Sequence, residues 1–544
     1  MNKEKFRLSR RQFLKRTTES ALAGSVLRAA AAMGIVSQSL GCGGSFSANT
    51  ASTPTPGNPS QPTSNTSPRP IDWPNGVGSG KSIVILGAGI AGMSAAFEMN
   101  KLGYEVTILE AKARAGGRCQ TIRAGDTVTE TDSQQACLFD NDADLYFNPG
   151  PARIPHHHDL ILGYCREFGV ALQPFINDNQ AALFHAQNAF GGQPQIACQI
   201  IAETRGYIAD LLAEVIQQGN LGISLSAADQ NNLQGMLQQY GELDSSFNYV
   251  AASRSGFIGQ EAANSRQRGV PPAQHSLSEL LASNFWQFQL DFSQSFDQQT
   301  TMLQPVGGMD QIARAFEQAV MDDIIYEAEV REIRKTSDGV NIVYQDAGGG
   351  SLSIAADYCI CSIPATVLRK INNDFSTQHA AAIQSFVYTQ TVKVAYQSRR
   401  FWEQEQSIYG GISWTDQDIT QIWYPSHGFG QEQGILVGAY TFGQTHSQNL
   451  SNLPPALRIS QVTTQAGRLH IQFTQEASRG ISVAWRKVPF QLGAWGASSP
   501  GILTSADDNI FFAGEHLSLL QGWQEGAVLS AYNAIDQIVA RDAG

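Results

Sequence analysis

The feature that most constrains this chain is a short glycine pattern and its flanks. Lys81-Ser82-Ile83-Val84-Ile85-Leu86 reads as a buried strand, Gly87-Ala88-Gly89-Ile90-Ala91-Gly92 follows at once, and Ala91 to Leu102 has helical spacing. Glu105 to Leu109 reads as a second strand ending at Glu110. Strand, glycine turn, helix and strand make a parallel βαβ unit, so the expected fold is α/β with a doubly wound, Rossmann-like domain. Gly87 permits the tight turn, Gly89 lets backbone approach a pyrophosphate, and Gly92 lets helix and strand pack closely. The helix start at Ile90 and Ala91 turns its positive dipole end toward the phosphates. Glu110 can accept hydrogen bonds from both hydroxyls of an adenosine ribose, which favours FAD or NAD over NADP.

Composition narrows the rest. A chain of 544 residues suggests three or four units on a prior of ~150 residues each. At 42% hydrophobic it can fill large cores. No uninterrupted apolar run reaches the ~18–20 residues of a membrane span. The net charge of −12 argues against a nucleic-acid partner, because phosphate binding needs clustered Lys and Arg.

The basic charge is concentrated at the front. Residues 1–41 hold Lys3, Lys5, Arg7, Arg10, Arg11, Lys15, Arg16 and Arg28 against only Glu4 and Glu19. Ser9-Arg10-Arg11-Gln12-Phe13-Leu14-Lys15 matches the twin-arginine export pattern, and a weakly apolar stretch from Ala21 to Val36 follows. Residues 1–42 are therefore expected to be an export signal, which often carries folded proteins with a cofactor already bound. Leu40-Gly41-Cys42 resembles a lipoprotein cleavage site, although Ser39 stands where that pattern prefers Leu. A lipid on Cys42 would tether the protein at the periplasmic or cell surface; ordinary cleavage nearby would leave it soluble or secreted. Residues 43–80 are rich in Ser, Thr, Pro, Gly and Asn, with Arg69 and Asp72 their only charges. Such a stretch cannot offset its ordering entropy and is read as a flexible linker.

The six cysteines after Cys42 show no disulfide or zinc spacing, and Cys359 and Cys361 suit apolar packing on one strand face. His156-His157-His158 is adjacent rather than i, i+4 on a helix, so no metal is expected; His158 reads as a helix-start residue.

Further motifs carry a family resemblance. Glu110-Ala111-Lys112-Ala113-Arg114-Ala115-Gly116-Gly117-Arg118 follows the second strand. Near the other end, Asn509 to Ala513 reads as a buried strand followed by Gly514-Glu515-His516, then Gly522-Trp523-Gln524-Glu525-Gly526-Ala527 opens a helix to about Val539. Together these resemble flavoproteins of the amine-oxidase superfamily, and most closely its L-amino-acid oxidases. Pro305-Val306-Gly307-Gly308-Met309-Asp310 and the strand run from Glu329 also fit, whereas residues 177–300 match nothing specific.

The resemblance implies FAD, and non-covalent FAD, because no Cys stands near Trp495 where covalent relatives attach it. It places Arg114 and Arg118 on the diphosphate beside Ala111 and Gly117, and the backbone of Val330 on the adenine. Glu515, beside Gly514, would bond the ribityl chain or its backbone surroundings. The helix start at Gln524, with Gly522 and Ala527, would face the electron-rich edge of the flavin. Trp485, Trp495 and Trp523 are candidate pocket walls; Trp485 and Trp495 suit a core equally well.

On the substrate side, Gly150-Pro151-Ala152-Arg153-Ile154-Pro155 looks like the segment that carries the carboxylate-binding cation in L-amino-acid oxidases. An arginine suits that task through two parallel hydrogen bonds. Tyr424 matches the tyrosine that donates to the same carboxylate, though a structural tyrosine would look the same. Lys393, in the alternating run Thr391-Val392-Lys393-Val394, matches the lysine that holds a water beside the flavin; an edge-strand lysine is the plainer reading.

The expected architecture is a FAD-binding domain from segments 81–152, 301–368 and 501–544, with a mixed-sheet substrate domain over 369–500. Segment 153–300 begins the substrate domain and continues as a helical insertion from about 156, with candidate helices at Asp159–Phe168, Gln199–Gln217 and Ser276–Phe285, expected to wall a funnel to the flavin. The expected reaction is oxidative deamination of an L-amino acid by dioxygen to a 2-oxo acid, ammonia and hydrogen peroxide, with no general base evident. An amine or polyamine oxidase, a quinone-linked dehydrogenase and a non-catalytic flavin-binding lipoprotein are the alternatives, and a homodimer stays open.

Overall fold

The strand after the linker sits at the centre of a parallel sheet. The computed structural model describes residues 73–251, 253–257, 269–287 and 289–543. The export signal, Cys42 and nearly all of the linker lie outside the described residues. The described chain divides into two compact units, one formed by residues 178–296 with Ser413–Asp416 and the other by the remaining segments.

In the larger unit, five strands stand in the order Ile510–Phe512, Tyr358–Cys361, Ser82–Leu86, Glu105–Leu109 and Ile324–Ile325. All are parallel. Strands buried on both faces read as continuous apolar runs, which is why SIVIL and YCIC look as they do. Alternate residues serve opposite faces. Ile83, Ile85, Ile360 and Phe511 pack with the helices Ile90–Lys101 and Gln524–Asp542. Val84, Leu86, Cys359, Cys361 and Phe512 pack on Val330, Ile333 and Ile342, so both cysteines act as small core residues. That second face is covered by a sheet rather than by helices, in which Ser351–Ala356, Val340–Gln345 and Glu329–Lys335 run antiparallel and Asn372–Asn373 pairs parallel with the last.

The glycine turn follows the expected logic. Gly87 has φ +101°, and a Cβ on Gly92 would sit 2.0 Å from the Gly87 carbonyl oxygen. Ser362 Oγ pins the turn by donating to the carbonyls of Leu86 (2.8 Å) and Gly87 (3.1 Å).

A second sheet in the same unit sets Ser478–Ala484, Val392–Arg399, Gln433–Tyr440 and Gln421–Trp423 side by side. Lys393 pairs with Tyr440 on one side and Val483 on the other, so it lies on an interior strand and not on an edge. The helix Asp159–Glu167 also belongs to this unit.

The smaller unit is mainly helical. Its helices are Ala197–Gln217, Ala227–Gly241 and Leu277–Ser283, the last opened by a Ser276/Glu279 capping box. Ala227–Gly241 had no sequence expectation. It is polar nearly all round, with only Leu237 and Gly241 buried, so it lacks the apolar stripe that marks a helix.

Candidate active site

One cavity of about 520 Å³ gathers both motif ends of the larger unit. Gly87, Gly89, Ile90, Ala91, Glu110, Ala111, Gly117 and Arg118 line it from the front of the chain, with Val330 from the middle. Gly514, Glu515, Gly522, Trp523, Gln524 and Ala527 line it from the end, together with Trp485 and Trp495. Two helices therefore begin at the same cavity, and their unpaired N–H groups and dipoles favour an anionic or electron-rich ligand there. A Cβ built on Gly89 meets no atom within 4 Å, so its backbone lies open to the cavity. Gly92 does not line it; its part is the close helix–strand contact.

Glu110 is buried, and its carboxylate accepts from the N–H groups of Ala88 (2.8 Å) and Lys112 (2.9 Å). Burial raises its pKa despite those bonds. The carboxylate thus braces the glycine turn and reaches the cavity beside Val330. Arg118 spans the two ends of the chain, donating to Glu515 Oε1 (2.7 Å) and to the Ala494 carbonyl (2.5 Å). The other Glu515 oxygen accepts from the Gly522 N–H at 2.8 Å. Glu515 organises the backbone around the cavity.

Arg114 corrects an expectation. It does not line the cavity; its guanidinium donates to the carbonyls of Ala115 (3.0 Å) and Gly117 (3.1 Å) and to Gln120 Oε1 (2.9 Å). It holds the Gly116-Gly117 turn in shape, and of these two arginines it is Arg118 that lines the cavity. Glu525 was missed altogether. Its carboxylate turns back to accept from the N–H groups of Leu160 (3.0 Å) and Ile161 (2.8 Å), capping the helix Asp159–Glu167. Ser362, Thr391 and the Pro489–Leu492 loop also line the cavity without having carried a sequence signal. In that loop Phe490 (φ 64°) and Leu492 (φ 49°) hold left-handed backbone, which is costly for such side chains and marks a constrained wall.

Beyond Trp523 lies a group of cations and rings. Arg153 is 8% exposed, so it is not in bulk solvent. Its Nη2 donates to Gln298 Oε1 (2.7 Å), and its guanidinium carbon lies 4.5 Å from the Trp423 ring and 5.8 Å from the Trp523 ring. Trp423 carried no expectation, yet Lys393 Nζ also sits 5.1 Å from its ring. Lys393 Nζ donates to the carbonyls of Gly150 (2.7 Å) and Asn148 (3.2 Å). Burial, with the nearby Arg153 charge added, holds its pKa well below the ordinary lysine value. Lys393, Ala152, Phe175 and Trp423 help to line a second cavity of about 50 Å³.

Tyr424 also lines this smaller cavity, but its hydroxyl is hydrogen-bonded to His470 Nε2 at 2.5 Å. Burial lowers the His470 pKa to about 3, so the imidazole is neutral. His470 holds the hydroxyl at the wall of the cavity, a partner remote in sequence. A run such as Trp-Tyr-Pro does not reveal which of its two aromatic rings will face the cation.

A parallel sheet, two helix starts, an acid at the end of the second strand and a long lined cavity define a dinucleotide-binding protein. The sequence pattern of the family described as "Flavin containing amine oxidoreductase" matches residues 90–539, and the chain belongs to that family, with FAD as its cofactor. It is 26% identical over 475 residues to an L-amino-acid oxidase of Pseudechis australis, covering 84% of this chain and 86% of that protein. It is 25% identical over 481 residues to one from Gloydius halys, covering 84% and 88%. Among solved structures, putrescine oxidase bound to putrescine shares the fold at TM-score 0.55 and 16% identity, covering 85% of this chain and 99% of that one. Cyclohexylamine oxidase from Brevibacterium oxydans IH-35A does so at 0.56 and 15%, covering 85% and 100%. The lining residues fit FAD: the open Gly89 backbone, the Glu110 acid, the Arg118 cation and two helix starts follow one another along a single cavity.

Proposed function

We propose that this FAD-dependent amine oxidoreductase deaminates an L-α-amino acid, converting it with water and dioxygen to a 2-oxo acid, ammonia and hydrogen peroxide. The observation that carries this reading is Arg153, a buried guanidinium oriented by Gln298 beside Trp523, which lines the cofactor cavity. A plain amine has no use for such a cation, whereas an α-carboxylate does. The names of the two relatives above point the same way.

The flavin, when bound, supplies the hydride acceptor. Arg153 anchors the substrate carboxylate, and Trp523 packs against the substrate and excludes water. Holding the substrate in one orientation lowers the entropic part of the barrier by several kcal/mol on the order of well-oriented intramolecular reactions. Lys393, kept from holding its proton tightly, positions a water in the smaller cavity and moves a proton as the imino acid is hydrolysed.

The test is Arg153→Ala in the holoprotein. The loss of a charge-assisted pair worth ~1.5–3 kcal/mol should raise KM for the best amino acid by roughly 10- to 100-fold. Peroxide formation from amines without a carboxylate should change little. Equal effects on both substrate classes, or no peroxide with any of the twenty amino acids, would overturn the proposal.

Export by the twin-arginine route, with a tether through Cys42, is part of the same proposal and rests on residues 1–42. Export that survives replacement of Arg10 and Arg11 by Lys would remove that part.

A further inference from the structure

We infer that His157, His158 and Asp297 form a binding site for one divalent transition-metal ion of the zinc type. One ligand atom from each residue lies within 4.8 Å of the other two. Two imidazoles and a carboxylate are a donor set suited to such an ion, with a remaining position for water.

One observation points to a ligand. His158 is 1% exposed, and its Nε2 is buried with no hydrogen-bond partner. A buried polar atom left unsatisfied needs an explanation, and a bound cation supplies one. His157 Nε2 and Asp297 Oδ1 are hydrogen-bonded to each other at 3.0 Å, and an ion would take the place of that bond. Asp297 and His157 remain partly exposed, at 42% and 22% of their side chains, which leaves an entry path.

On a helix three adjacent histidines would point in different directions, but this triplet stands in the turn before Asp159–Glu167, where adjacent rings can converge: the His157 and His158 centroids are 4.8 Å apart at 79°. The third ligand comes from a segment remote in sequence, so no local motif could disclose it.

The site has a consequence for its surroundings. Three consecutive residues meet the arginine-bearing turn: Asp297 reaches His157, Gln298 holds Arg153, and Gln299 bonds His156. An ion here would clasp the two segments together. His158 packs edge-on at 5.1 Å against Trp523, which places the clasp next to the cavity wall.

The test uses tag-free holoprotein, equilibrated with zinc alone and dialysed, with zinc and flavin both measured per chain. The wild type should retain one zinc and melt at a higher temperature with it. His157→Ala and Asp297→Asn, both on the exposed side, should each lose the zinc and the temperature shift while retaining flavin. A wild type that retains no zinc overturns the inference whatever the variants do. So does equal retention by both flavin-loaded variants. Neither result bears on the substrate, so failure here is distinct from failure of the amino-acid proposal.

Discussion

Two buried cations serve the same sheet and are treated in opposite ways. Arg458 donates to both oxygens of Glu130 (2.8 and 3.0 Å) and to Ser482 Oγ (2.9 Å), and both charged side chains are fully buried. Glu130 Oε1 also accepts from the Ala484 N–H at 2.8 Å. Lys393 is paired in register with Val483, the residue between Ser482 and Ala484. Its ammonium is met by two backbone carbonyls and the faces of Tyr440 and Trp423, and the charge that acts on it is Arg153, of the same sign. A carboxylate fixes a buried cation as scaffold. Burial without a counter-ion, with a like charge nearby, leaves the proton loosely held despite the carbonyls and rings, which is a property of chemistry and not of stability.

The largest expected effect lies on the scaffold side. Glu130→Ala leaves the Arg458 charge buried without its counter-ion and should cost ~3–5 kcal/mol, read as a fall in the urea midpoint of the holoprotein. Turnover per folded, flavin-loaded molecule should stay near that of the wild type. A variant as stable as the wild type would erase the contrast.

Lys393→Met should show the reverse pattern. Loss of a proton-transfer or water-holding group should slow the reaction with dioxygen by on the order of 10²-fold, and more than it slows substrate oxidation. Stability should fall by only ~1 kcal/mol for each carbonyl left without its donor. Unchanged oxygen kinetics would return Lys393 to the scaffold.

The smallest effect is a slope. Folding lowers the Lys393 pKa, so the unfolded chain holds a proton that the folded chain releases. The penalty is present in full at acid pH and is relieved as pH rises toward the ordinary lysine value of about 10.4. Wild type should therefore gain stability relative to Lys393→Met with rising pH in that window, by at most ~1.4 kcal/mol per pH unit. A flat difference across the alkaline range would show that the amine keeps its proton.

How much of this was legible depended on the reach of each interaction. The glycine turn, Glu110, the Gly116-Gly117 pair and the Gly514-Glu515 strand end were readable, because a tight turn and a strand-to-helix start need particular residues at consecutive positions. Arg114 and Arg118 looked alike by the same signal, and only packing separated the residue that shapes the turn from the one at the wall. Trp423 and Tyr424 both reach the smaller cavity, but only the folded structure shows that the Trp423 ring lies against Arg153 and that the Tyr424 hydroxyl meets His470.

The chain by itself therefore determined the parallel sheet, the dinucleotide cavity and the candidate cations, through apolar periodicity and local backbone need. Tertiary structure alone decided which partner each buried charge meets. Gln298 on Arg153, the Asn148 and Gly150 carbonyls on Lys393, Glu130 on Arg458 and Asp297 beside His157 and His158 are remote pairs. Such pairs leave no periodic trace in either segment, because they arise from how folded segments cross and not from what any one segment must do to fold.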